Sequence, residues 1–320
     1  MARYLVTGGA GFIGSNLTAA LARAGEQVVA LDDLSTGRWS LVDRLLGAGD
    51  ARVERVTASI LDADAVARAM KGVDVVFHEA AMASVQRSID DPIGCEDINV
   101  RGTLVVLEAA RHAGVRRVVF ASSSAVYGDD PSMPKGESSP IRPLSPYAAT
   151  KLSGEVYLGL YAKLFGVETI GFRNFNVFGQ NQLPEGPYAA AIPRFAWAWL
   201  NGRPATIYGD GLQTRDFAHV DDIVRANLLA AASPRAFHGE IVNLAGGTAI
   251  SLLDVLASLR ALGLSGDVQH EAPRVGDVRH SRADLARASS VLGFAPEVAW
   301  ERGLASTVDF LRELRDGRAR

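Results

Sequence analysis

Three glycines spaced three apart, Gly8, Gly11 and Gly14, stand between a strand-like run, Tyr4-Leu5-Val6, and a helical run from Ser15 to Ala24 that ends at Gly25. Glycines at such a junction let the backbone turn tightly and let a pyrophosphate approach the N-terminus of the helix, where N–H groups lack partners. Phe12 and Ile13 fall inside the same turn and are expected at the same ligand. The next apolar run, Gln27 to Leu31, leads into Asp32. An acid about twenty residues beyond such glycines can bind both hydroxyls of an adenosine ribose, and it would repel a 2'-phosphate. Glycines alone could make an ordinary tight turn. Placed between strand and helix, with the acid at that distance, they predict a dinucleotide site that takes NAD rather than NADP.

The rest of the first half keeps the rhythm that such a turn requires. Apolar strand runs at 27–31, 53–57, 73–78, 115–121 and 167–172 alternate with helical patterns at 62–71, 95–113 and 147–165. Alternation of this kind predicts an α/β fold, a doubly wound parallel sheet covered on both faces. With 320 residues, 48% of them apolar, the chain can bury one large core or two coupled ones. After Arg173 the rhythm breaks into a Pro- and Gly-punctuated excursion, 174–215, and the Pro- and Ser-rich segment 129–143 reads as a loop over the site. A net charge of -3 gives no basic footprint for nucleic acid. The run Arg111 to Arg117 reads as a solvated helix end leading into the next strand. The single cysteine, Cys95, excludes an intrachain disulfide and reads as an inert core residue. No run reaches transmembrane length and the N-terminus is already strand and turn, so a cytoplasmic protein is expected. No metal site is expected.

The chemistry is concentrated in SPYAATK, where Tyr147 and Lys151 stand one helical turn apart behind a Ser145-Pro146 start signal. Residues at i and i+4 share a face. A phenol with a reference pKa of about 10 is a poor base near neutrality. A lysine cation roughly 6 Å away, at an effective dielectric of about 20, favours the phenolate by about 3 kcal/mol. Such a pair is ordinarily a pair of surface neighbours; the dinucleotide turn upstream makes it a candidate for proton transfer.

Taken together, these residues resemble the extended short-chain dehydrogenase/reductase family, and within it the NAD-dependent UDP-sugar 4-epimerases. The markers are TGGAGFIG, LDDLS, HEAA, Asn99, SSSAVYG, YxxxK, RNFNVFG, IYGDGLQTRDFAHVDD and GDVRHSRAD, and they span essentially the whole chain. The resemblance implies a Rossmann-type sheet with a smaller, discontinuous C-terminal α/β lobe that binds substrate. The NAD-binding domain would be 1–173 with about 217–245, and the UDP-sugar lobe about 174–216 and 246–320. It implies that Tyr147 takes the O4 proton while NAD takes the C4 hydride, and that the 4-keto sugar turns over and receives the hydride on its other face. Ser124 would bond the sugar O4 and relay its proton, with Ser122 beside the cofactor, and Lys151 would hold the nicotinamide ribose. Ala80, Ala81 and Asn99 would lie along the cofactor. His78 and Glu79 could be an acid/base pair, but the family uses the position structurally, and that reading is preferred. The family commonly has Gly-Asp-Ile where this chain has Ala58-Ser59-Ile60, so an adenine contact there falls to Ser59 or is lost.

On the substrate side the resemblance implies Ser84, Asn176, Tyr208, Arg215, Arg274 and Asp277 as UDP-sugar contacts; guanidinium forks suit a diphosphate. Ser281, small where a bulky tyrosine would exclude a C2 acetamido group, and the YAAAIP stretch at 188–193 favour N-acetylated as well as plain hexoses. Asn174 stands where some relatives carry an aromatic against the nicotinamide, so it is not given that role. Ala125-Val126 occupies the place expected for the Asp-Glu pair of 4,6-dehydratases, and neither residue titrates, which argues against dehydration. A homodimer through the helices at about 95–113 and 147–165 is implied. The competing expectations are a UDP-glucuronate 4-epimerase, a UDP-sugar dehydrogenase or decarboxylase, and a non-catalytic NAD-binding sensor, which typically loses the Tyr-Lys pair.

Overall fold

The structure, a computed structural model, describes residues 2–185, 189–273 and 278–317. The described residues form twelve strands and twelve α-helices. The strands are β1 (Arg3–Thr7), β2 (Gln27–Asp32), β3 (Val53–Thr57), β4 (Val75–His78), β5 (Arg117–Ser123), β6 (Glu168–Asn174), β7 (Asn176–Phe178), β8 (Ala205–Tyr208), β9 (Thr214–His219), β10 (His238–Leu244), β11 (Ala249–Ser251) and β12 (Val268–Glu271). The helices are α1 (Phe12–Arg23), α2 (Trp39–Leu46), α3 (Ala63–Ala69), α4 (Val85–Asp90), α5 (Pro92–Glu96), α6 (Gly102–Ala113), α7 (Pro146–Phe165), α8 (Ala191–Leu200), α9 (Val220–Ala232), α10 (Leu252–Ala261), α11 (Ala286–Leu292) and α12 (Trp300–Arg315).

Seven strands form one parallel sheet in the order β10-β6-β5-β4-β1-β2-β3. Its central strands are apolar throughout, as a sheet covered on both faces requires. One face packs on α1 and α9 through Leu17, Leu21, Ile223 and Phe237, the other on α3, α6 and α7 through Val66, Leu107 and Leu158. The chain lays down β1, β2 and β3 in one direction and then returns to place β4 on the other side of β1. This reversal opens a crevice at the C-terminal ends of β1 and β4, the place where ligands bind such sheets.

The helix expected over 95–113 is two helices, α5 and α6, joined by a wider π-type turn at Asp97–Arg101. Beyond β6 the chain builds a second core, in which Phe195, Trp199, Leu256, Leu259, Phe310 and Leu311 from α8, α10 and α12 pack against β8. Strand β10 returns to the edge of the large sheet, whereas β9 pairs with β7 and β11 in a three-stranded sheet. Helix α11 turns back as well, and Ala288 belongs to the first core.

One charge departs from expectation. Arg117, expected in a solvated run, is 1% exposed. Its Nε donates to Glu168 at 2.7 Å, and its NH groups reach the carbonyls of Ala230, Ser233 and Arg235 at and beyond the end of α9. The last carbonyls of a helix lack intrahelical donors, and the guanidinium supplies them.

Candidate active site

The glycine turn is shaped for close approach. Gly8 has φ +70, and a Cβ there would come within 2.8 Å of Ala80 N. A Cβ at Gly14 would lie 2.0 Å from Gly8 O, so strand end, turn and helix can pack only without side chains at both positions. Helix α1 begins at Phe12-Ile13 behind Gly11, with no side-chain cap and no acid in its first turn. Its N-terminal N–H groups and dipole therefore face the crevice without a competing carboxylate. Asp32, 7% exposed, closes β2 and accepts from Ala10 N at 3.0 Å and Leu34 N at 2.8 Å. Burial raises its pKa from the ordinary carboxylate value while those N–H groups oppose the shift. Ser59 and Ile60 lie just beyond Ala58, whose N–H donates to Asp32 O at 3.1 Å; Ser59 Oγ is engaged by Leu61 N and Ile60 is buried over Gly102. These groups fit a dinucleotide: a cradle that any Cβ would fill, an uncapped helix end and a carboxylate at the ribose distance.

His78 and Asn99 hold the crevice from behind. Thr7 Oγ1 accepts from Ala80 N, and Thr103 Oγ1 donates to Asn99 O. The remaining bonds, His78 Nδ1 to Thr7 Oγ1 at 2.7 Å and Nε2 to Thr103 Oγ1 at 2.9 Å, fix a neutral ring protonated on Nε2. Burial pushes its pKa down to about 3, and threonine hydroxyls occupy both ring nitrogens. The Asn99 carboxamide accepts from Met82 N and donates to Thr150 Oγ1, tying the loop that follows Ala80-Ala81 to the helix that carries Lys151. Half-buried Glu79 is pushed up to about 7 by desolvation, against the pull of Lys151.

Helix α7 starts as the sequence predicts. Ser145 Oγ accepts from Ala148 N at 3.2 Å and Pro146 occupies the first turn. Lys151, 3% exposed, donates from Nζ to Ala121 O at 2.7 Å and lies 6.0 Å from the centroid of the Tyr147 ring. Desolvation lowers its pKa to about 8. Tyr147 differs from expectation. Burial raises its pKa, nearby Glu79 raises it further, and a hydrogen bond to Ser123 lowers it. Ser123, the last residue of β5, lines the cleft with Tyr147 and Ser124, and its Oγ accepts from Ala125 N at 3.1 Å. Ser124 opens the following single-turn 3-10 helix, and Ser122 donates to Glu155 at 2.5 Å in a buried pair with Arg173, so only its backbone is left for a cofactor. Three consecutive serines do not reveal where the strand stops, and the strand end decides which hydroxyl faces Tyr147.

A cleft of about 290 Å³ opens above this pair. Tyr147, Ser123, Ser124 and Ala125 line it from the first lobe; Asn176, Arg215 and Ser281 line it from the excursion, β9 and the segment after residue 277. Three elements far apart in sequence therefore converge on the phenol. Arg215 NH1 donates to Thr214 O at 2.8 Å, and Ser281 N to Thr214 O at 3.2 Å. Val126, expected at a dehydratase position, is buried; the turn residues facing the cleft are Ser124 and Ala125, which do not titrate in the working range. No carboxylate is among the described lining residues. Ser84 does not line the cleft; its Oγ caps α4 by accepting from Arg87 N at 3.2 Å, and its neighbours Ala83 and Val85 line it instead. Tyr208 also lies off the cleft, at the end of β8, with the Arg194 guanidinium 5.1 Å from its ring centroid. Arg274 and Asp277 lie outside the described residues, as does Tyr188 of the YAAAIP stretch. Lys135 was not anticipated: it lines the cleft, 2% exposed and paired with Asp130 at 2.9 Å, although a lysine in a Pro- and Ser-rich loop reads as a surface residue.

Comparison with known proteins agrees with this geometry. Residues 4–245 match the model of the NAD dependent epimerase/dehydratase family. A UDP-glucose 4-epimerase of Mycolicibacterium smegmatis is 43% identical over 97% of this chain and 98% of its own. A UDP-N-acetylglucosamine 4-epimerase from Methanobrevibacter ruminantium, solved with UDP-N-acetylmuramic acid, superposes with a TM-score of 0.92 at 36% identity, covering 98% of this chain and 99% of that one. A UDP-glucuronic acid 4-epimerase from Bacillus cereus, solved with UDP-glucuronic acid and NAD, gives 0.90 at 33% identity over 98% and 99%.

Proposed function

The chain belongs to the NAD-dependent epimerase/dehydratase family, and on that premise we propose that it interconverts UDP-N-acetylglucosamine with UDP-N-acetylgalactosamine and UDP-glucose with UDP-galactose. At the coarser level it is an isomerase, an NAD-dependent UDP-sugar 4-epimerase. The observation behind the reading is the cleft, where Tyr147 and Ser123 meet Asn176, Arg215 and the small Ser281 with no carboxylate among the described lining residues. Dehydration needs a general acid and base at C5 and C6, and those groups are not on the described wall.

The reading gives each residue a role. Tyr147 removes the proton from O4 and later returns it, with Ser123 bridging phenol and hydroxyl and Ser124 lining the sugar pocket. Lys151 holds the nicotinamide ribose and keeps a cation beneath the phenol. Gly8, Gly11, Gly14 and the first N–H groups of α1 hold the pyrophosphate, and Asp32 holds the adenosine ribose. Bound NAD supplies the hydride acceptor and donor for C4. Asn176 and Arg215 hold the diphosphate end, with Arg274, Asp277 and Tyr208 proposed toward the nucleotide. Residues 1–173 with about 217–245 form the NAD domain in this reading, and about 174–216 with 246–320 the UDP-sugar lobe.

Purified protein incubated separately with UDP-glucose, UDP-N-acetylglucosamine and UDP-glucuronic acid, without added NAD, tests it. The first two should yield their C4 epimers, and denaturation should release NAD(H) in near-stoichiometric amount. Epimerisation of UDP-glucuronic acid alone would replace this reading by the uronate one, and an absolute need for NADP would refute the role of Asp32.

A further inference from the structure

Asn174 ends β6 in the wall of the cleft, and the fold gives its carboxamide oxygen nothing to do. The residue is 9% exposed, and its Oδ1 has no hydrogen-bond partner. The hydroxyl of its register partner, Ser123, accepts from Ala125 N at 3.1 Å. Buried polar atoms are nearly always paired, so an orphan acceptor in a cleft wall marks a position where the ligand brings the partner. In the sheet register Asn174 is paired with Ser123, which lines the cleft together with Tyr147. Adjacent strands lie about 4.8 Å apart, which places the orphan beside the proton-transfer pair. A carboxamide offers both an acceptor and a donor, and a hydroxyl can answer either.

We propose that Asn174 is a specificity-determining residue that hydrogen-bonds a hydroxyl of the hexose ring other than the reacting O4. The proposal rests on the reading of the cleft as a UDP-sugar site and deepens it. Asn176, Arg215 and Ser281 face the same space from the second lobe, so a sugar bridging them to Tyr147 passes Asn174.

Asn174→Leu keeps the size of the side chain and removes both hydrogen-bonding atoms; Asn174→Ala serves if leucine does not fold. With UDP-glucose and UDP-N-acetylglucosamine, kcat/KM and sugar-nucleotide affinity should fall about tenfold to a hundredfold. Affinity for UDP alone and NAD content should stay unchanged. The melting temperature of the leucine variant should not fall, because the lost oxygen had no protein partner. Among UDP-2-deoxy-, UDP-3-deoxy- and UDP-6-deoxyglucose, one should show the same loss with wild type and no further loss with the variant. Unchanged kcat/KM and affinity, equal weakening of UDP, or loss of NAD would each overturn the proposal. Selective loss of UDP-glucose affinity in a protein that turns over no UDP-hexose would uphold Asn174 and refute the epimerase reading. A wild type that neither binds nor converts UDP-glucose or UDP-N-acetylglucosamine overturns both.

Discussion

Tyr147 is half-buried at the floor of the cleft, and its burial works against the task the sequence suggests for it. Desolvation disfavours a phenolate, so the proton is held more tightly than in a free phenol, and only the nearby Ser123 hydroxyl pulls the other way. Lys151 is close enough to matter, but it is desolvated itself, falls to about 8 and donates to Ala121 O. A sequence gives the spacing of a tyrosine and a lysine; it does not give the water each one loses. Tyr147→Phe removes the oxygen and keeps the ring, so fold and NAD content should survive while turnover drops about a hundredfold to ten-thousandfold. Near-normal turnover in that variant, measured by product formation from UDP-glucose, would rule out Tyr147 as the proton acceptor. Ser123 and Arg117 show the same limit of sequence reading. The first depends on where a strand ends within three identical residues, the second on carbonyls supplied more than a hundred residues later.

At the scale of elements, periodicity and start signals located six of the seven strands of the large sheet, and α7, closely, because the buried parallel strands are continuous apolar runs bounded by turns. The strap after residue 277 had no such signal. Its bonds are to other elements: Thr214 N donates to Arg279 O, Ser281 N to Thr214 O, Lys135 N to Arg282 O, and Ala283 N to buried Asp216 Oδ2. The strap is thus suspended between β9 and the loop at Lys135, and Ser281 is held at the cleft by its own backbone. A side chain on so fixed a backbone would set the room beside a sugar bound in the cleft. Ser281→Tyr should abolish turnover of UDP-N-acetylglucosamine by steric exclusion and spare UDP-glucose. Comparison of kcat/KM for the two substrates reads the outcome directly. Retained N-acetyl turnover in the tyrosine variant, or its absence from wild type, would end the gatekeeper assignment.

For the whole molecule, the doubly wound sheet follows from the order in which its strands are laid down, and the cleft from the second core folded over their C-terminal ends. What neither core explains is the outer face of α7. Val156, Leu160 and Leu164 recur every fourth residue and are 56%, 41% and 62% exposed, with Phe165 at 40% beside them. Residues at that spacing form one stripe along a helix. A contiguous apolar stripe of this kind marks an interaction surface. We propose a second copy of the chain as its partner, since an isologous contact presents the same stripe from both sides and buries both. Among the described residues no helix is long and apolar enough to cross a membrane, so lipid-spanning use of α7 is not the alternative. Sedimentation should give twice the monomer mass at micromolar concentration. Leu160→Glu with Leu164→Glu should give a monomer that keeps its NAD, because the stripe lies on the side of α7 away from the buried residues Lys151 and Leu158. A wild type that sediments as a monomer, or a double variant that still dimerises, would show that the stripe serves something else.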